Sequence, residues 1–421
     1  MAKIVIAPYG SLGDLHPFLA LALELRARGH EIKICTLEPY REKIEMLNFE
    51  FHPLRPEFDP EDKEIAKAVM DTKNGTETLL TEYLLPSITE MYQDLLTVSE
   101  GADLLISGEI VFAAHSVAEK LNLKWISTVL APLSMFSVYD GNVYPNAEWL
   151  KHFNFLGRPF HGTVFRIMSK VIRKWLEPYR EFRRDIGLSE EHDPIVKDKH
   201  SPYLNLAMFS KALGRTQPDW NKRTLQTGFC FYDGQKDLGV MPEGLDGFLD
   251  SGRAPIVFTL GSAAVMDAGD FFENSIAAAK ILKRRAIMLY GIFNEPPNGL
   301  DEERVGFDYA PFSQLFPKAA CVVHQGGVGT TGQVLRAGVP HLIMPYSHDQ
   351  PDNAARCKQL GVARTINRDR YNPERAAAEL RKLLGDFSYR AKAEEAKRIV
   401  LAEKGTQTAC DAVESVLKMK I

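Results

Sequence analysis

The sequence predicts an α/β protein built from two doubly wound, Rossmann-like domains that face each other across a cleft. Three observations support this fold class. The chain of 421 residues is longer than one hydrophobic core normally supports. Apolar runs typical of buried strands alternate with helical patterns in both halves, which favours parallel sheets covered on both faces. A glycine-rich turn follows a strand in each half, at the edge of the sheet where such folds bind ligands.

Residues 1–225 are predicted to form the first domain and residues 248–400 the second, joined by a glycine- and proline-rich linker at 226–247. The strands predicted in the first domain are 3–7, 31–37, 104–107, 125–130 and 204–208, and its clearest helices are 17–28 and 111–121. The strands predicted in the second domain are 256–260, 286–290, 305–309, 320–324, 341–344 and 363–366. A cleft between two such domains suits a ligand with two chemically distinct halves.

The composition is that of an ordinary globular protein. Hydrophobic residues make up 45% and charged residues 25% of the chain, and the net charge is −4. Because no broad basic surface is indicated, nucleic acid is not an expected partner. The first residues run directly into a strand without a signal-peptide pattern, and no apolar stretch reaches membrane-spanning length. Five scattered cysteines without C-x-x-C spacing predict reduced thiols, no zinc site and a cytoplasmic location.

The segment ACVVHQGGVGTTGQ carries the clearest functional signal. An apolar strand ends, the chain passes through glycines, and a helical pattern begins. Glycines let backbone N–H groups approach a ligand closely, and a helix N-terminus favours negative charge. The residues of the predicted phosphate-binding turn are His324, Gly326, Gly327, Gly329, Thr330 and Thr331.

The next strand is predicted to deliver Asp349 and Gln350 to the same edge of the sheet. A carboxylate accepts hydrogen bonds and an amide both accepts and donates them, which suits the hydroxyls of a sugar. Helix capping is an alternative role for Asp349, because a helical pattern follows it. A phosphate-binding turn beside hydroxyl-binding side chains points to a nucleotide sugar as ligand.

The motifs HQGGVGTT, RAGVP, MPYSHDQPDN and LGVA resemble the donor-binding signature of nucleotide-sugar glycosyltransferases with the GT-B fold. Within this UDP-glycosyltransferase superfamily, the similarity is greatest to the sterol, lipid and glycopeptide-antibiotic enzymes. The early stretch GSLGDLHPFLALALELRARGH resembles the N-terminal motif of the same group. The resemblance implies that residues 401–421 form a helix that returns to the first domain, and that the protein is a monomer or weak dimer.

The resemblance also implies the chemistry. An inverting, metal-independent enzyme would move a hexose, expected to be glucose, from a uridine or thymidine diphosphate sugar to a hydroxyl of a hydrophobic small molecule or lipid. No further cofactor is expected. Asp14 would be the general base for that hydroxyl, with His16 as the rival base and a helix N-terminal charge as the structural alternative. The His324 ring would donate a hydrogen bond to the diphosphate, whose departing charge the helix N-terminus would also stabilise.

Further donor contacts follow from the same resemblance. Tyr309 would stack on the nucleobase, and the Ala310 backbone would read the edge of the base. The plant relatives have a ribose-binding glutamate where this chain has Gly332, so Gln333 is expected to substitute, and the choice between uridine and thymidine stays open. The other expected donor contacts are Gly13, Gly261 and Ser262.

The acceptor site is expected in the aromatic-rich stretch 134–159, which has no regular period. Its proposed lining residues are Phe136, Tyr139, Tyr144 and Trp149. A small separate core under a long loop is the alternative. Residues 166–176 then form an apolar stripe with basic residues opposite, a pattern that fits either packing on the domain or peripheral contact with an anionic membrane.

Two other enzyme classes remain open on the sequence alone. A nucleotide-sugar 2-epimerase would share the fold and the phosphate-binding turn. An NAD(P)-dependent oxidoreductase is suggested by G-x-G-x-x-G at 327–332, although only two short strands follow this motif where a dinucleotide domain needs several.

Overall fold

The computed structural model describes residues 1–57, 59, 62–234 and 239–419 of the chain. Residues 235–238 of the predicted linker and the last two residues of the predicted C-terminal helix lie outside this range. The described residues form two parallel sheets, each covered by helices, so the predicted fold class is confirmed.

The first sheet has seven strands in the described part of the chain. They are β1 (Lys3–Ala7), β2 (Glu31–Thr36), β3 (Glu50–Pro53), β4 (Leu104–Ser107), β5 (Lys124–Val129), β6 (Leu204–Ala207) and β7 (Thr224–Gln226). They lie in the order β3-β2-β1-β4-β5-β6-β7, with every neighbouring pair parallel. The helices of this half are α1 (Leu12–Ala27), α2 (Arg41–Met46), α3 (Lys63–Val69), α4 (Gly75–Thr78), α5 (Ile88–Ser99), α6 (Ala114–Leu121), α7 (Arg158–Trp175) and α8 (Glu177–Asp185). Shorter 3₁₀ segments include Pro132–Met135 and Pro145–Leu156.

The second sheet has six described strands. They are β8 (Ile256–Thr259), β9 (Ala286–Leu289), β10 (Arg304–Phe307), β11 (Cys321–His324), β12 (His341–Ile343) and β13 (Ala363–Thr365), in the order β10-β9-β8-β11-β12-β13. The helices of this half are α9 (Leu245–Asp250), α10 (Gly261–Ala264), α11 (Phe271–Ile281), α12 (Phe312–Leu315), α13 (Val328–Ala337), α14 (Gln350–Leu360), α15 (Pro373–Gly385) and α16 (Phe387–Ala402). The final helix is α17 (Gly405–Leu417).

The two strands that were not predicted, β3 and β7, lie at opposite edges of the first sheet. Both are short, and β3 ends in a proline. Because β7 runs to Gln226 and pairs with β6, the first sheet ends beyond the predicted last strand at 204–208 and into the predicted linker.

Helix α17 returns to the first domain, as expected. The Lys124 ammonium donates to the Leu417 carbonyl at 2.8 Å, and the Arg28 guanidinium lies 2.6 Å from the Asp411 carboxylate. Further contacts join the two domains; among them, the Thr76 hydroxyl lies 3.1 Å from His348 Nδ1, and Arg356 on α14 binds Asp140 at 2.6 Å.

Candidate functional site

A cleft of about 1400 Å³ separates the two domains, and it receives the carboxyl ends of strands from both sheets. The turn after β1 supplies Asp14, and the turn after β4 supplies Glu109. From the second domain, Gly261 follows β8 and Gln325 follows β11. Since a doubly wound sheet leaves its ligand crevice at this end, the cleft is the candidate site.

Asp14 is held at the head of α1 by a reciprocal cap. The helix begins at Leu12, earlier than the predicted start at residue 17, and Ser11 is its N-cap. The Ser11 backbone N–H and hydroxyl donate to Asp14 Oδ2 at 2.8 and 2.9 Å. Gly10 has φ +127°, and a Cβ there would come within 2.5 Å of the same oxygen. The sequence contains the S-x-x-D pattern of such a capping box at Ser11 to Asp14. Asp14 therefore serves both as a cap and as a fixed carboxylate on the cleft wall.

The surroundings of Asp14 make it a stronger base than an ordinary aspartate. Its pKa is raised to about 6, chiefly by burial; the hydrogen bonds from Ser11 act against this rise, and the charge of Glu109 contributes to it. Glu109, which was not predicted, lies 3.5 Å from the Lys199 ammonium. A carboxylate with this pKa is largely ionised at neutral pH and still binds a proton well.

His16, the rival base, also lines the cleft. Its ring packs against the Tyr232 ring with centroids 5.2 Å apart. Burial lowers its pKa to about 3, so the ring is neutral at physiological pH. Its buried Nε2 has no hydrogen-bond partner within the described part of the chain. Burial thus shifts the pKa values of the two candidate bases in opposite directions, which leaves Asp14 a stronger base and His16 a weaker one than usual.

The predicted phosphate-binding turn lies between β11 and α13. Gly326 has φ +93°, and a Cβ there would approach the Gln350 carbonyl to 3.1 Å. Helix α13 has Gly327 as its N-cap, with no side chain capping its first N–H groups. Backbone N–H groups at an uncapped helix N-terminus form an anion site. Gly327, Gly329 and Thr330 all line the cleft at this point.

The His324 ring does not lie where a contact with the diphosphate would require it. Its ring is fully buried, and its Nδ1 accepts a hydrogen bond from the Gly326 N–H at 3.0 Å. Its Nε2 lies 3.1 Å from Nδ1 of His341, so both ring nitrogens are used inside the protein. The ring supports the turn from below, and the predicted donation to a diphosphate does not fit this position. Gly326 and Thr331 likewise form the turn without lining the cleft.

The polar side chain that faces the cleft here belongs to Gln325. Its amide nitrogen lies 2.8 Å from the point where a Cβ on Gly327 would sit, and a side chain on Gly261 would collide with it. Its buried Oε1 has no hydrogen-bond partner among the described residues. Side chains alternate along an extended chain, so His324 and Gln325 cannot both face the ligand. The alternation of side chains along the strand could therefore have indicated, from the sequence, that only one of the two residues faces the ligand.

Asp349 and Gln350 lie opposite Asp14, at the head of α14. The Asn353 amide donates to Asp349 Oδ2 at 2.7 Å. Burial raises the pKa of Asp349 to about 7, with the Asn353 bond acting against this rise and the charge of Asp14 adding to it. Gln350 Oε1 accepts from the Tyr346 N–H at 2.9 Å, so one of its polar atoms holds the turn. The two aspartates face a common space from different domains.

The other predicted donor residues divide into two groups. Tyr309 lines the cleft, and burial raises its pKa to about 12. Ala310 is fully buried and is not among the residues that line the cleft. Its predicted contact, made by the backbone, does not depend on an exposed side chain. Gln333 reaches the cleft and lies 3.4 Å from Asp233. The remaining predicted donor residues that line the cleft are Gly13, Gly261 and Ser262.

The part of the cleft beside the aromatic stretch is apolar. Three of the four residues predicted for the acceptor site, Phe136, Tyr144 and Trp149, line it together with the apolar stripe of α7. Tyr139 does not: its hydroxyl accepts from Arg158 at 3.1 Å, and its ring lies outside the cleft lining. The Lys199 ammonium lies 4.3 Å from the Phe136 ring centroid. The aromatic stretch is therefore a cleft wall as well as a packed layer.

The loop at 138–144 beside this wall is tied to α14. Arg356 donates to Asp352 at 2.6 Å, to Asp140 at 2.6 Å and to Asn142 at 3.1 Å. The Val143 N–H donates to Asp352 at 2.8 Å. Because Asp349 is the N-cap of the same helix, α14 supports both this loop and the Asp349 side of the cleft.

No described helix is both long and apolar enough to cross a bilayer. Within the same residues, no three or more His, Cys, Asp or Glu side chains are grouped as metal ligands.

Comparison with known proteins agrees with this architecture. Residues 4–121 match the glycosyltransferase family 28 N-terminal domain, and residues 300–414 match the erythromycin biosynthesis protein CIII-like C-terminal domain. The O-mycaminosyltylonolide 6-deoxyallosyltransferase of Streptomyces fradiae is 29% identical over 98% of this chain and 97% of its own length. A sterol 3-beta-glucosyltransferase of Neurospora crassa is 25% identical over 98% of this chain, which spans only 27% of that protein.

Solved structures show the same fold. The glycotransferase of kitacinnamycin superposes with a TM-score of 0.73 at 20% identity, over 99% of each chain. The spinosyn rhamnosyltransferase SpnG, complexed with thymidine diphosphate, gives 0.66 at 16% identity over 98% of this chain and 100% of its own. The family matches, the relatives and the two-sheet fold together show that the chain belongs to the glycosyltransferases of the GT-B fold.

Proposed function

We propose that the protein is an inverting, metal-independent hexosyltransferase that uses a uridine or thymidine diphosphate sugar and a hydrophobic, hydroxylated acceptor. One observation carries the proposal: the Asp14 carboxylate, with its pKa raised to about 6, faces Asp349 across the cleft between an anion-binding helix end and an apolar wall. The 2-epimerase and oxidoreductase alternatives gain no support from the matched families.

The proposed reaction starts at the acceptor hydroxyl. Asp14 removes its proton, and the oxygen attacks the anomeric carbon of the sugar. The bond from that carbon to the diphosphate oxygen breaks, and the electron pair leaves with the nucleoside diphosphate. Attack from the face opposite the leaving group inverts the anomeric centre. Asp349 and Gln350 orient the sugar through its hydroxyls.

The charge of the departing diphosphate is met by the chain itself. The first N–H groups of α13 and the Gln325 amide lie at the predicted phosphate site. Preorganised donors in a cleft with little water stabilise developing charge strongly. The enzyme should accordingly retain its activity in the presence of a chelator such as EDTA.

Two observations bear on the substrates. The solved structure that contains thymidine diphosphate supports testing thymidine diphosphate sugars as donors in addition to uridine diphosphate sugars. The Streptomyces relative is named for a 6-deoxyhexose, so a 6-deoxyhexose should be tested beside glucose. Phe136, Tyr144 and Trp149 favour a large apolar acceptor.

The test is to incubate the purified chain with these nucleotide sugars and a set of hydroxylated apolar compounds. Mass spectrometry should detect glycoside and free nucleoside diphosphate in equal amounts, and NMR should show an inverted anomeric centre. Asp14→Asn should lower turnover roughly 10²- to 10⁴-fold while donor affinity measured by calorimetry stays unchanged.

A matched control is Asp386→Asn, because Asp386 caps α16, accepts from the Ser388 N–H and does not line the cleft. It loses the same charge and should keep full turnover. A retained anomeric configuration, or normal turnover in Asp14→Asn, would refute the mechanism.

A further inference from the structure

An apolar rim borders the acceptor half of the cleft. Its residues are Trp149, Phe153, Phe155, Leu156, Ile167 and Val171, and all six are large and exposed. They come from the 3₁₀ segment Pro145–Leu156 and from α7. The Trp149 and Phe153 rings lie 6.0 Å apart, and Phe153 lies 6.0 Å from Phe160 on α7. These ring contacts link Trp149 and Phe153 to α7, and Phe155 and Leu156 follow Phe153 in the same 3₁₀ segment.

The acceptor cleft accounts for only half of the rim. Trp149, Ile167 and Val171 line the cleft, so a bound acceptor would cover them in part. Phe155 is 81% exposed, and neither it nor its neighbour Leu156 lines the cleft. Contiguous exposed apolar surface of this kind marks an interaction site.

The outer face of α7 is strongly basic. The helix contains no acidic residue, although the whole chain carries a net charge of −4. Arg166, Lys170, Arg173 and Lys174 are all exposed, and within the described chain none of them forms an ion pair. The free cations are complementary to an anionic surface.

We propose that the rim and the basic face of α7 dock the protein on the surface of an anionic lipid bilayer. An amphipathic helix with exposed apolar side chains and a lysine- and arginine-rich face lies in the plane of the bilayer interface. No described helix could cross the bilayer, so the contact is peripheral. In this orientation the mouth of the acceptor cleft opens towards the lipid. The proposal goes beyond glycosyl transfer and does not depend on it.

The experiment is co-sedimentation of the full chain with vesicles of phosphatidylcholine alone or mixed with phosphatidylglycerol. The protein should bind the mixed vesicles more tightly, and added salt should weaken the binding. Phe155→Ser combined with Leu156→Ser should lower partitioning at least about tenfold, because two inserted apolar side chains are lost. Lys170→Gln combined with Arg173→Gln should lower binding to the mixed vesicles about fivefold per charge.

Phe387→Ser is the matched control, since Phe387 is 87% exposed on α16 in the other domain. It should leave vesicle binding unchanged. The Phe155 and Leu156 variants should keep their circular dichroism spectra and their donor affinity, because neither side chain lines the cleft. Loss of vesicle binding in a folded, donor-binding variant would therefore be assigned to the rim.

Three results would overturn the proposal. They are absence of sedimentation with either vesicle, equal binding to neutral and anionic vesicles, and full binding by the double apolar variant. Self-association detected by ultracentrifugation and abolished by the rim substitutions, without vesicle binding, would assign the rim to a second copy of the chain instead. None of these results would affect the transfer assay, so failure here is distinguishable from failure of the proposed function.

Discussion

The raised pKa of Asp14 predicts a specific dependence of catalysis on pH. If Asp14 is the base, kcat/KM must rise as the carboxyl loses its proton. A group with a pKa of about 6 is about one-tenth ionised at pH 5 and about nine-tenths ionised at pH 7, so kcat/KM should rise about tenfold. At the ordinary value of 3.8 the same group would already be ionised at pH 5, and the profile would be flat.

The cause of the shift can be tested at Glu109. Its negative charge, one of the causes that raise the pKa of Asp14, disappears in Glu109→Gln. In the same variant the Lys199 ammonium loses its carboxylate partner. The acid limb of the profile should consequently move to lower pH. Glu31→Gln, at an exposed position at the start of β2, is the control and should leave the limb in place.

The assay is the initial rate of nucleoside diphosphate release at subsaturating donor and acceptor, measured at constant ionic strength across this pH range. Asp349 has a pKa of about 7 and interacts with Asp14, so the observed midpoints belong to the pair. A flat wild-type profile between pH 5 and 7, or a limb that moves upward in Glu109→Gln, would refute the assignment of Asp14 as a buried base.

Three further predictions concern stability and donor binding. Burial favours protonated Asp14 in the folded state, so its contribution to stability is full below pH 4 and is lost as pH rises through about 6. Asp14→Asn should therefore increase the free energy of unfolding at pH 8 by an amount on the order of 3 kcal/mol, measured as a higher melting temperature, and should leave it unchanged at pH 4. Gly261→Ala should weaken donor binding in calorimetry at least about tenfold, because the added Cβ would collide with Gln325 at a backbone φ of +67°. Arg356→Met should lower the free energy of unfolding in urea by about 3–5 kcal/mol, because it leaves buried Asp352 unpaired.

Matched variants isolate these effects. Gly269→Ala imposes a similar backbone strain at φ +51° with nothing within 4 Å of the new Cβ, and donor affinity should not change. Arg184→Met breaks an exposed pair with Glu190 and should cost less than about 1 kcal/mol. Donor affinity lost equally in both glycine variants, or equal costs in both arginine variants, would contradict the reasoning.

The sequence was informative where local pattern decides structure. Strands β1 and β4 were predicted at their observed bounds, because each is a buried apolar run bounded by turns. Edge strands β3 and β7 were missed because a short strand exposed on one side has no continuous apolar run. The predicted start of α1 at Pro17 is wrong, because Ser11 caps the helix and Pro17 lies inside it.

The candidate site was predictable in location but not in every contact. The glycines correctly indicate the turn after β11. Nearness to these glycines does not, however, tell which side chain faces the ligand: the His324 ring lies in the core, and Gln325 lines the cleft. The effect of Glu109 on Asp14 arises because β4 lies beside β1, which is known only once the sheet order is known. The bond from Asp140 to Arg356 joins residues 216 positions apart, and no local pattern encodes it.

That distant bond has a consequence for how substrates enter and leave. Any hinge motion that parts the domains along this side must pull a carboxylate away from a guanidinium that is almost entirely shielded from solvent. Water has to follow the separating charges, so hydration of Arg356 would accompany every opening. Separation of this ion pair therefore opposes opening on this side of the cleft, and we expect product release to contribute to the rate of turnover.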